Sequence, residues 1–527
     1  MTKAVEMAKV SAKGGFNLLW GLVASTVISA VGTIFITYIL GAEKFGLYSI
    51  ALIGPTLIAT FRDWGVNSAI IKYSAQYNAE NNTKIRSIFV SGLVFELILG
   101  VSLSILSFGL SSFLASSLHR PTIVPLIKIA SFFILTGALI NTATAAFTGM
   151  ERMHLYSVTL IIQSIVKTVL IVGLVLLGFG TLGAITGFTT ASVIAGVAGI
   201  LLMWTIYRSL PKSIGSKMEI ITTIKTMLQY GLPVSIGTIL SGFLTVFYSY
   251  ILAIYVTNNA IIGNYNLAVN FSILITFFAT PVTTMMFPAF SKLDFKKDHE
   301  TLKNIFQYSV KYASLIVVPI AALVIALAQP GIGTIYQNRY SDAPLFLALL
   351  SVTYLYTAFG SLSAGNLLNG QGFTKYNMYL SLLTVLIGFP VGFLLISIYG
   401  VIGLIVSALT VSLPSLFISL RFIRKRFGVS VDWVSSAKIL FSSAVTAVLT
   451  YGLIYLLPFS SPLRLVIGVI AFAVIFVAAT IVTRTIDRSD FTSLREITNV
   501  LGPLRKPLGF LLNIIEKLMT ILHGKTR

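Results

Sequence analysis

Long apolar runs recur along almost the whole chain, and they constrain the fold more than any other feature of the sequence. A helix needs about 20 apolar residues to cross the hydrocarbon core of a bilayer. The sequence therefore predicts an all-α integral membrane protein with about 14 transmembrane spans. Numbered in chain order, the spans lie near 17–40, 45–71, 87–113, 121–148, 156–179, 181–207, 229–256, 260–288, 308–329, 343–369, 375–397, 401–420, 438–458 and 462–483.

The composition excludes a water-soluble protein. Of the 527 residues, 56% are hydrophobic and only 10% are charged. Soluble domains are roughly 45–50% apolar and about 25% charged. No stretch of soluble-domain composition separates the apolar runs, so a single membrane domain is the simpler interpretation.

Positive charge is distributed unevenly between alternate loops. The net charge is +21, but it is scattered through short loops, which favours membrane topology and contact with anionic membrane lipids over nucleic-acid binding. With the N-terminus inside, 31 of the 37 Lys and Arg residues lie on the inner side. Lys167 lies within a span, and the outer connections hold five: Lys44, Arg120, Lys128, Arg339 and Arg464. We therefore predict a multi-pass protein of the cell membrane with both termini in the cytoplasm.

An internal repeat divides the spans into two sets. A shift of 217 positions places Gly46, Tyr48 and Ala51 on Gly263, Tyr265 and Ala268. Because six spans separate the copies, spans 1–6 and 7–12 would form two parallel lobes around a cleft that opens to each side in turn. The predicted organisation is an N-terminal cytoplasmic segment, two six-helix lobes, two appended spans and a cytoplasmic tail with an amphipathic interfacial helix, at 1–16, 17–210, 229–423, 438–484 and 485–527.

Three stretches of sequence carry a family resemblance. They are LGAEKFGLYSIALIGPTLIATFRDWGVNSAIIKYSAQY (Leu40–Tyr77), FTGMERMHLY (Phe147–Tyr156) and LLNGQGFTKYNMY (Leu367–Tyr379). The chain resembles polysaccharide-transport flippases of the Wzx type, in the multidrug/oligosaccharidyl-lipid/polysaccharide exporter superfamily. The resemblance implies a two-lobed, V-shaped, MATE-like transporter. Its substrate would be an oligosaccharide on a polyprenyl phosphate or diphosphate, moved from the inner to the outer leaflet.

Charged residues within spans are costly in a bilayer and are therefore candidates for substrate binding. Arg62 and Asp63 lie inside span 2 if its helix runs to Ile71, where Arg62 could contact a lipid phosphate. If the helix stops at Phe61, both are interfacial charges. Glu96 in span 3 and Lys167 in span 5 have similar predicted depths and could form either a structural ion pair or a substrate and proton-coupling site.

Neutral polar residues in the spans are candidates for binding sugars. Tyr248 in span 7, Asn270 in span 8, and Asn366 and Asn369 in span 10 offer an aromatic face and amides suited to hydroxyl-rich ligands. Helix packing and interhelical hydrogen bonds are the alternative role for each of them.

Missing motifs weigh against an enzyme and against direct use of ATP. Gly524, Lys525 and Thr526 resemble the end of a P-loop, but Met519 stands where its first glycine belongs. We expect no cofactor, and the sequence leaves open whether Na⁺ or H⁺ drives transport. Glycan polymerase or glycosyltransferase machinery is the expected protein partner. A Na⁺- or H⁺-coupled multidrug exporter is the alternative function.

Overall fold

The computed structural model of the protein describes residues 3–80, 84–211, 219–291 and 297–485, together with residues 293 and 509. Every regular element within these ranges is a helix. The predicted interfacial helix of the tail, apart from residue 509, lies outside the described residues.

Fifteen α-helices make up the described chain. In order, α1 to α15 are Lys3–Ala59, Val66–Glu80, Ile85–Gly109, Ser111–Ser117, Val124–Gly149, Met153–Leu174, Gly180–Ser209, Ile220–Tyr255, Asn259–Ser291, His299–Tyr336, Ala343–Ser351, Ser361–Gly370, Thr374–Phe427, Trp433–Leu456 and Ser461–Val482. A π-helical turn, Val175–Phe179, joins α6 to α7, and a 3₁₀ helix, Val352–Phe359, lies between α11 and α12.

The helices account for fourteen membrane crossings. Nine helical stretches in the described residues are long and apolar enough to span, and a tenth consists of the bent pair Ala343–Phe359 and Ser361–Gly370. Three of the nine are 40 to 57 residues long, about twice or more the length that one span needs, and each holds a glycine with non-helical dihedral angles: Gly41, Gly178 and Gly400. Each of these three stretches therefore counts as two spans. With α9, which has 33 residues, the total is fourteen, and the predicted all-α membrane fold is confirmed.

Span 2 differs from its predicted form. The sequence is compatible with a helix that continues to Ile71 or with one that stops at Phe61, but α1 ends at Ala59 and a new helix begins at Val66. The Asp63 carboxylate accepts hydrogen bonds from the backbone N–H of Gly65 at 2.8 Å and of Asn67 at 3.5 Å, as a helix-capping side chain does. Gly65 has a φ of +84°, which only glycine adopts freely. A Cβ there would also overlap the backbone of Gly231 in α8.

The described chain forms two compact units. The first comprises Met1–Asn266 and Val385–Ser407. Within it α6 packs along α1, and α5 packs against α3 and α7. An apolar core where α2, α3, α5 and α8 meet includes Ile70, Phe89, Phe147 and Met227.

The second unit comprises Leu267–Thr384 and Ala408–Arg527. Its long helix α10 packs against α11, α14 and α15, and an apolar core around it includes Phe306, Leu367 and Phe427. The boundaries of the predicted lobes, at 17–210 and 229–423, stay a prediction.

Candidate functional site

A buried polar cluster lies where the break after α1 meets α3. Nε of Arg62 is 3.7 Å from Oε2 of Glu96, and the Asn67 amide donates a hydrogen bond of 2.9 Å to Oε1 of the same carboxylate. Glu96 is 0% exposed and Arg62 is 8% exposed. Moving an ionised group out of water costs several kcal/mol or more unless it is paired. The positive charge of Arg62 and the hydrogen bond from Asn67 therefore offset the cost of burying the Glu96 carboxylate.

The cluster lies deep within the spans. Nη1 of Arg62 donates to the carbonyl of Ile134 at 3.1 Å. Ile134 is ten residues beyond the start of α5, and Glu96 is eleven beyond the start of α3, so both lie roughly 15 Å along their helices. Gly137 makes room for the guanidinium, because an added Cβ would stand 2.5 Å from Nη1. The break after α1 thus brings Arg62 close to the middle of the spans.

Part of the hydrogen-bonding capacity of the cluster is unused. Among the described residues, Nε of Arg62, Oε2 of Glu96 and Oδ1 of Asn67 are buried without a hydrogen-bond partner. The 3.7 Å approach of Arg62 to Glu96 is therefore an ion pair without a hydrogen bond. Asp63, in contrast, accepts hydrogen bonds from the backbone amides of Gly65 and Asn67 at the start of α2. The Arg62 guanidinium keeps a donor for a further anionic group.

Lys167 does not pair with Glu96, and the predicted pairing is corrected. Glu96 is paired with Arg62 instead. Lys167 is partly exposed, and within the described part of the chain it makes no hydrogen bond or ion pair. Similar depth did not bring the two together because α6 packs mainly along α1 and α7, whereas α3 packs along α5.

Aromatic rings lie beside the charged cluster. Phe61 and Trp64 flank Arg62 and Asp63 in the chain and are 45% and 41% exposed. The Phe61 ring lies 5.4 Å from that of Phe243 in α8, and the Trp64 ring 6.4 Å from that of Phe95. The rings of Phe243 and Phe247 both contact Phe389 in α13. The first unit thus places an apolar aromatic surface next to buried charge.

Asn67, Gly137 and these aromatic rings are not among the site residues predicted from the sequence. The FRDWGVNSA stretch carried a signal for some of them, because Asn67 lies two residues after the helix-capping turn and Phe61 and Trp64 bracket the charged pair. The contacts of Gly137 and Phe243 depend on which helices are neighbours, and the sequence does not reveal that.

Tyr248 is buried in a packing contact within the first unit. Its hydroxyl donates to the carbonyl of Gly388 at 3.0 Å, and its ring covers Gly392. The side chain holds α8 against the 385–407 segment of α13.

The three predicted asparagines belong to the second unit. Asn270 is exposed on α9. Asn366 and Asn369 lie on α12, where the Asn366 amide donates to the carbonyl of Leu362 at 3.1 Å and Oδ1 of Asn369 accepts from the Asn377 amide at 3.2 Å. Of the eight predicted site residues, the structure brings together Arg62, Asp63 and Glu96, and it places Asn366 and Asn369 on one helix. Substrate contact stays a proposal for all eight.

Arg120, which the sequence predicts only as an outer-loop charge, is buried. Nε donates to Asn259 Oδ1 at 2.6 Å, Nη1 to the carbonyls of Leu118 and Ala253, and Nη2 to those of Val256 and Thr257, all within 3.0 Å. The guanidinium therefore caps the C-terminal end of α8, where carbonyls lack helical partners. Nothing in the sequence separates Arg120 from Lys128 or Arg339.

No group of three His, Cys, Asp or Glu side chains in the described ranges lies close enough to hold a metal ion.

Comparison with protein families identifies the chain more closely. A family model described as "Polysaccharide biosynthesis protein" matches residues 35–345, which is more than half of the chain. The chain belongs to this family. An uncharacterised membrane protein of Methanocaldococcus jannaschii is 24% identical to this chain over 408 residues. The match covers 73% of this chain and 92% of the relative.

Solved structures share the fold. The lipid II flippase MurJ, in an inward closed conformation, has a TM-score of 0.69 at 14% identity and covers 89% of this chain and 98% of its own. An inward-facing multidrug resistance MATE family transporter of the MOP superfamily has a TM-score of 0.62 at 17% identity, covering 77% and 94%. Together with the family match, these structures confirm the predicted resemblance to the exporter superfamily. The protein is a multi-pass membrane protein of the polysaccharide biosynthesis family with a MurJ- and MATE-like fold.

Proposed function

We propose that this protein is a flippase. It moves an oligosaccharide carried on a polyprenyl phosphate or diphosphate from the inner to the outer leaflet of the cell membrane by alternating access, for cell-surface polysaccharide or glycoprotein glycan assembly. Membership of the polysaccharide biosynthesis family and a fold similar to that of a lipid II flippase support the proposal.

Such a substrate needs a polar path through the bilayer. An ionised phosphate costs tens of kcal/mol to move into hydrocarbon by Born estimates, and each unpaired hydroxyl adds several more. A flippase therefore has to offer charge and hydrogen bonds at mid-depth while the lipid chain stays in an apolar environment.

The buried Arg62 guanidinium is the observation that carries the proposal. It lies deep among the spans, its ion pair with Glu96 has no hydrogen bond, and its Nε is without a hydrogen-bond partner in the described part of the chain. Arginine binds phosphate oxygens through a planar set of donors. A lipid phosphate would take these donors, and the neighbouring rings of Phe61 and Trp64 would contact the first apolar units of the lipid.

Glu96 gives Arg62 a partner when no substrate is bound. A phosphate that takes up the guanidinium displaces the carboxylate, which keeps its hydrogen bond from Asn67. Return of Glu96 to Arg62 would then promote release. Lys167, which lacks a partner among the described residues, is proposed as a second cation for the headgroup.

An exporter of organic cations is the second candidate. The buried acid Glu96 next to aromatic rings would suit a cationic drug, and a MATE family transporter shares the fold. In that case Glu96 would be the substrate-contacting residue, and Arg62 would hold it in place.

Reconstitution in vesicles separates the two candidates. Purified protein is placed in liposomes, and movement of a fluorescent polyprenyl-diphosphate oligosaccharide is followed with and without Na⁺ and H⁺ gradients, with a cationic dye as the competing cargo. We expect the glycolipid to move and the dye to stay. Movement of the dye alone would replace the flippase with the exporter.

The test variant is the double substitution Arg62→Gln with Glu96→Gln. It removes both charges together, so no buried ion is left unpaired, and it should fold while losing most of the glycolipid movement. Arg464→Gln is the matched control, because within the described part of the chain the Arg464 side chain makes one hydrogen bond, from its Nε to the carbonyl of Leu457 in the connection between α14 and α15. Unchanged glycolipid movement by a folded double variant would exclude Arg62 as the phosphate contact.

The cytoplasmic position of both termini and cooperation with a glycan polymerase or glycosyltransferases are further parts of the proposal. The charge asymmetry of the loops supports the position of the termini. Membership of the polysaccharide biosynthesis family supports the cooperation with glycan-assembling enzymes.

A further inference from the structure

An uncharged cavity opens between α12 and two parts of α13 in the second unit. Its volume is about 230 Å³, and hydroxyl groups dominate its polar wall. None of the residues lining it carries a charge. The hydroxyls that decide its chemistry belong to Tyr356, Ser381, Thr384, Ser415 and Ser419.

Each of these five hydroxyls already donates its proton in a hydrogen bond within the protein. Ser381 donates to the carbonyl of Asn377 at 3.2 Å, and Ser419 donates to that of Leu416 at 2.7 Å. The Tyr356 hydroxyl donates to the carbonyl of Leu409 at 3.2 Å.

Thr384 and Ser415 share their protons in the same way. Both lie 3.0 Å from the carbonyl of Leu380, and their own oxygens are 2.6 Å apart. Two hydroxyls have two protons between them, and these three contacts use both. These five hydroxyls therefore present lone pairs to the cavity, and the donors left in its wall are the Ser361 hydroxyl and the second N–H of the Asn377 amide.

Such a wall selects the chemistry of its ligand. A phosphate or carboxylate offers only acceptors, and it would find no cation and few donors in this wall. A cation would find oxygens but no carboxylate to balance its charge. A neutral sugar ring is complementary, because it presents several O–H donors, and the Tyr356 ring adds an aromatic surface.

The volume fits one sugar ring. At ~30 Å³ per water the cavity would hold about eight waters, which is comparable to a single hexose and too small for a whole oligosaccharide. Asn369, predicted from the sequence to contact sugars, is hydrogen-bonded to the lining residue Asn377 and so supports this wall.

We propose that this hydroxyl-lined cavity binds one neutral, hydroxyl-rich sugar residue of the translocated glycan. The inference rests on the proposed flippase function and extends it from the phosphate to the sugar. It makes the second unit a determinant of which glycan is carried, separate from the charged cluster of the first unit.

Gly365 provides a way to fill the cavity without disturbing the backbone. A Cβ added there would meet only the Asn377 amide, at 3.9 and 4.0 Å, which is ordinary contact. Gly365→Leu places a side chain in the space for the sugar. Gly452→Leu is the matched control, since Gly452 is exposed on α14 and an added Cβ has nothing within 4 Å.

The experiment compares two probes on the reconstituted full chain, namely undecaprenyl diphosphate without sugar and the same lipid bearing a hexose-containing trisaccharide. The wild-type protein should bind the glycosylated lipid more tightly. Gly365→Leu should weaken that binding about tenfold and leave binding of the bare lipid unchanged, and Gly452→Leu should change neither. The variant Ser415→Ala with Thr384→Val removes acceptors without filling the space, and it should weaken only the glycosylated lipid.

Three results would overturn the inference. Equal wild-type affinity for the two lipids, or unchanged glycolipid binding by Gly365→Leu, would show that the cavity does not bind the sugar. Loss of Na⁺ binding in Gly365→Leu without loss of glycan preference would make it a cation site. If the wild-type protein bound and moved neither lipid, the proposed flippase function would fail and this inference with it, which distinguishes that outcome from the other three.

Discussion

At the scale of single residues, the account depends on the Glu96 carboxylate, which is shared between Arg62 and Asn67 deep among the spans. Removing one partner of a buried ion pair leaves an uncompensated charge, whereas removing both leaves none. The two charges should therefore behave as a unit in stability and separately in transport.

Glu96→Gln should destabilise the protein by about 3–5 kcal/mol, since it leaves the Arg62 guanidinium without its carboxylate partner. The double variant Arg62→Gln with Glu96→Gln should recover most of that loss. Thermal unfolding in detergent of the single and double variants forms a double-mutant cycle that measures the coupling. Additive effects of the two substitutions would mean that the pair is not formed in the folded protein.

Substitution of Lys167, unlike that of Glu96, should not destabilise the protein. Because Lys167 has no partner among the described residues, Lys167→Met removes a half-buried charge without breaking a pair, so the melting temperature should stay the same or rise. Movement of a lipid-linked glycan should fall at least tenfold if the ammonium contacts the headgroup. A less stable variant with normal transport would instead assign Lys167 a structural role.

At the scale of helices, breaks and turns place the charged groups. The sequence allowed Arg62 either a continuous span 2 or an interfacial position, and the structure has a third arrangement, a break between Ala59 and Val66. The Asp63 cap and the positive φ of Gly65 were readable in principle. The contact of Gly65 with Gly231 was not, because it depends on the packing of α8 against α2.

The turn after α8 offers a prediction at the same scale. Arg120→Gln removes most of five hydrogen bonds, and it takes the Arg120 donor from the buried carbonyls of Leu118 and Ala253. Each unsatisfied buried group costs about 1–3 kcal/mol, so the melting temperature should fall well below that of the wild type. Arg464→Gln, which removes one hydrogen bond, should change it little, and equal shifts for the two variants would contradict the structural role of Arg120.

At the scale of the whole molecule, the hydrophobicity of the sequence was sufficient to predict the membrane crossings, but the sequence was not sufficient to predict which charged residues form pairs. The fourteen crossings follow from the length of the apolar runs, which the bilayer fixes at about 20 residues. Depth along a helix was also predictable, but the side of the helix on which a residue lies was not. For that reason an ion pair between Glu96 and Lys167 was one of the two alternatives predicted from the sequence, although their helices have different neighbours.

Orientation in the membrane is a prediction for the whole molecule. The protein has no cysteine, so a thiol reagent labels only a cysteine that is introduced by substitution. Thr301→Cys, near the start of α10, and Ser341→Cys, just beyond its end, are both exposed and lie on opposite sides in the predicted topology. A membrane-impermeant maleimide should label only Ser341→Cys in intact cells, and both after lysis. Labelling of Thr301→Cys alone in intact cells would show that the orientation is the opposite of the predicted one.

The central claim is that this chain carries a charged, sugar-bearing lipid headgroup across the bilayer. The most direct measurement is the rate at which a fluorescent polyprenyl-diphosphate oligosaccharide in the inner leaflet of vesicles becomes accessible to an external quencher. Vesicles with the wild-type protein should expose the lipid much faster than protein-free vesicles or vesicles carrying the Arg62→Gln, Glu96→Gln variant. Equal rates in all three, with or without ion gradients, would contradict the account.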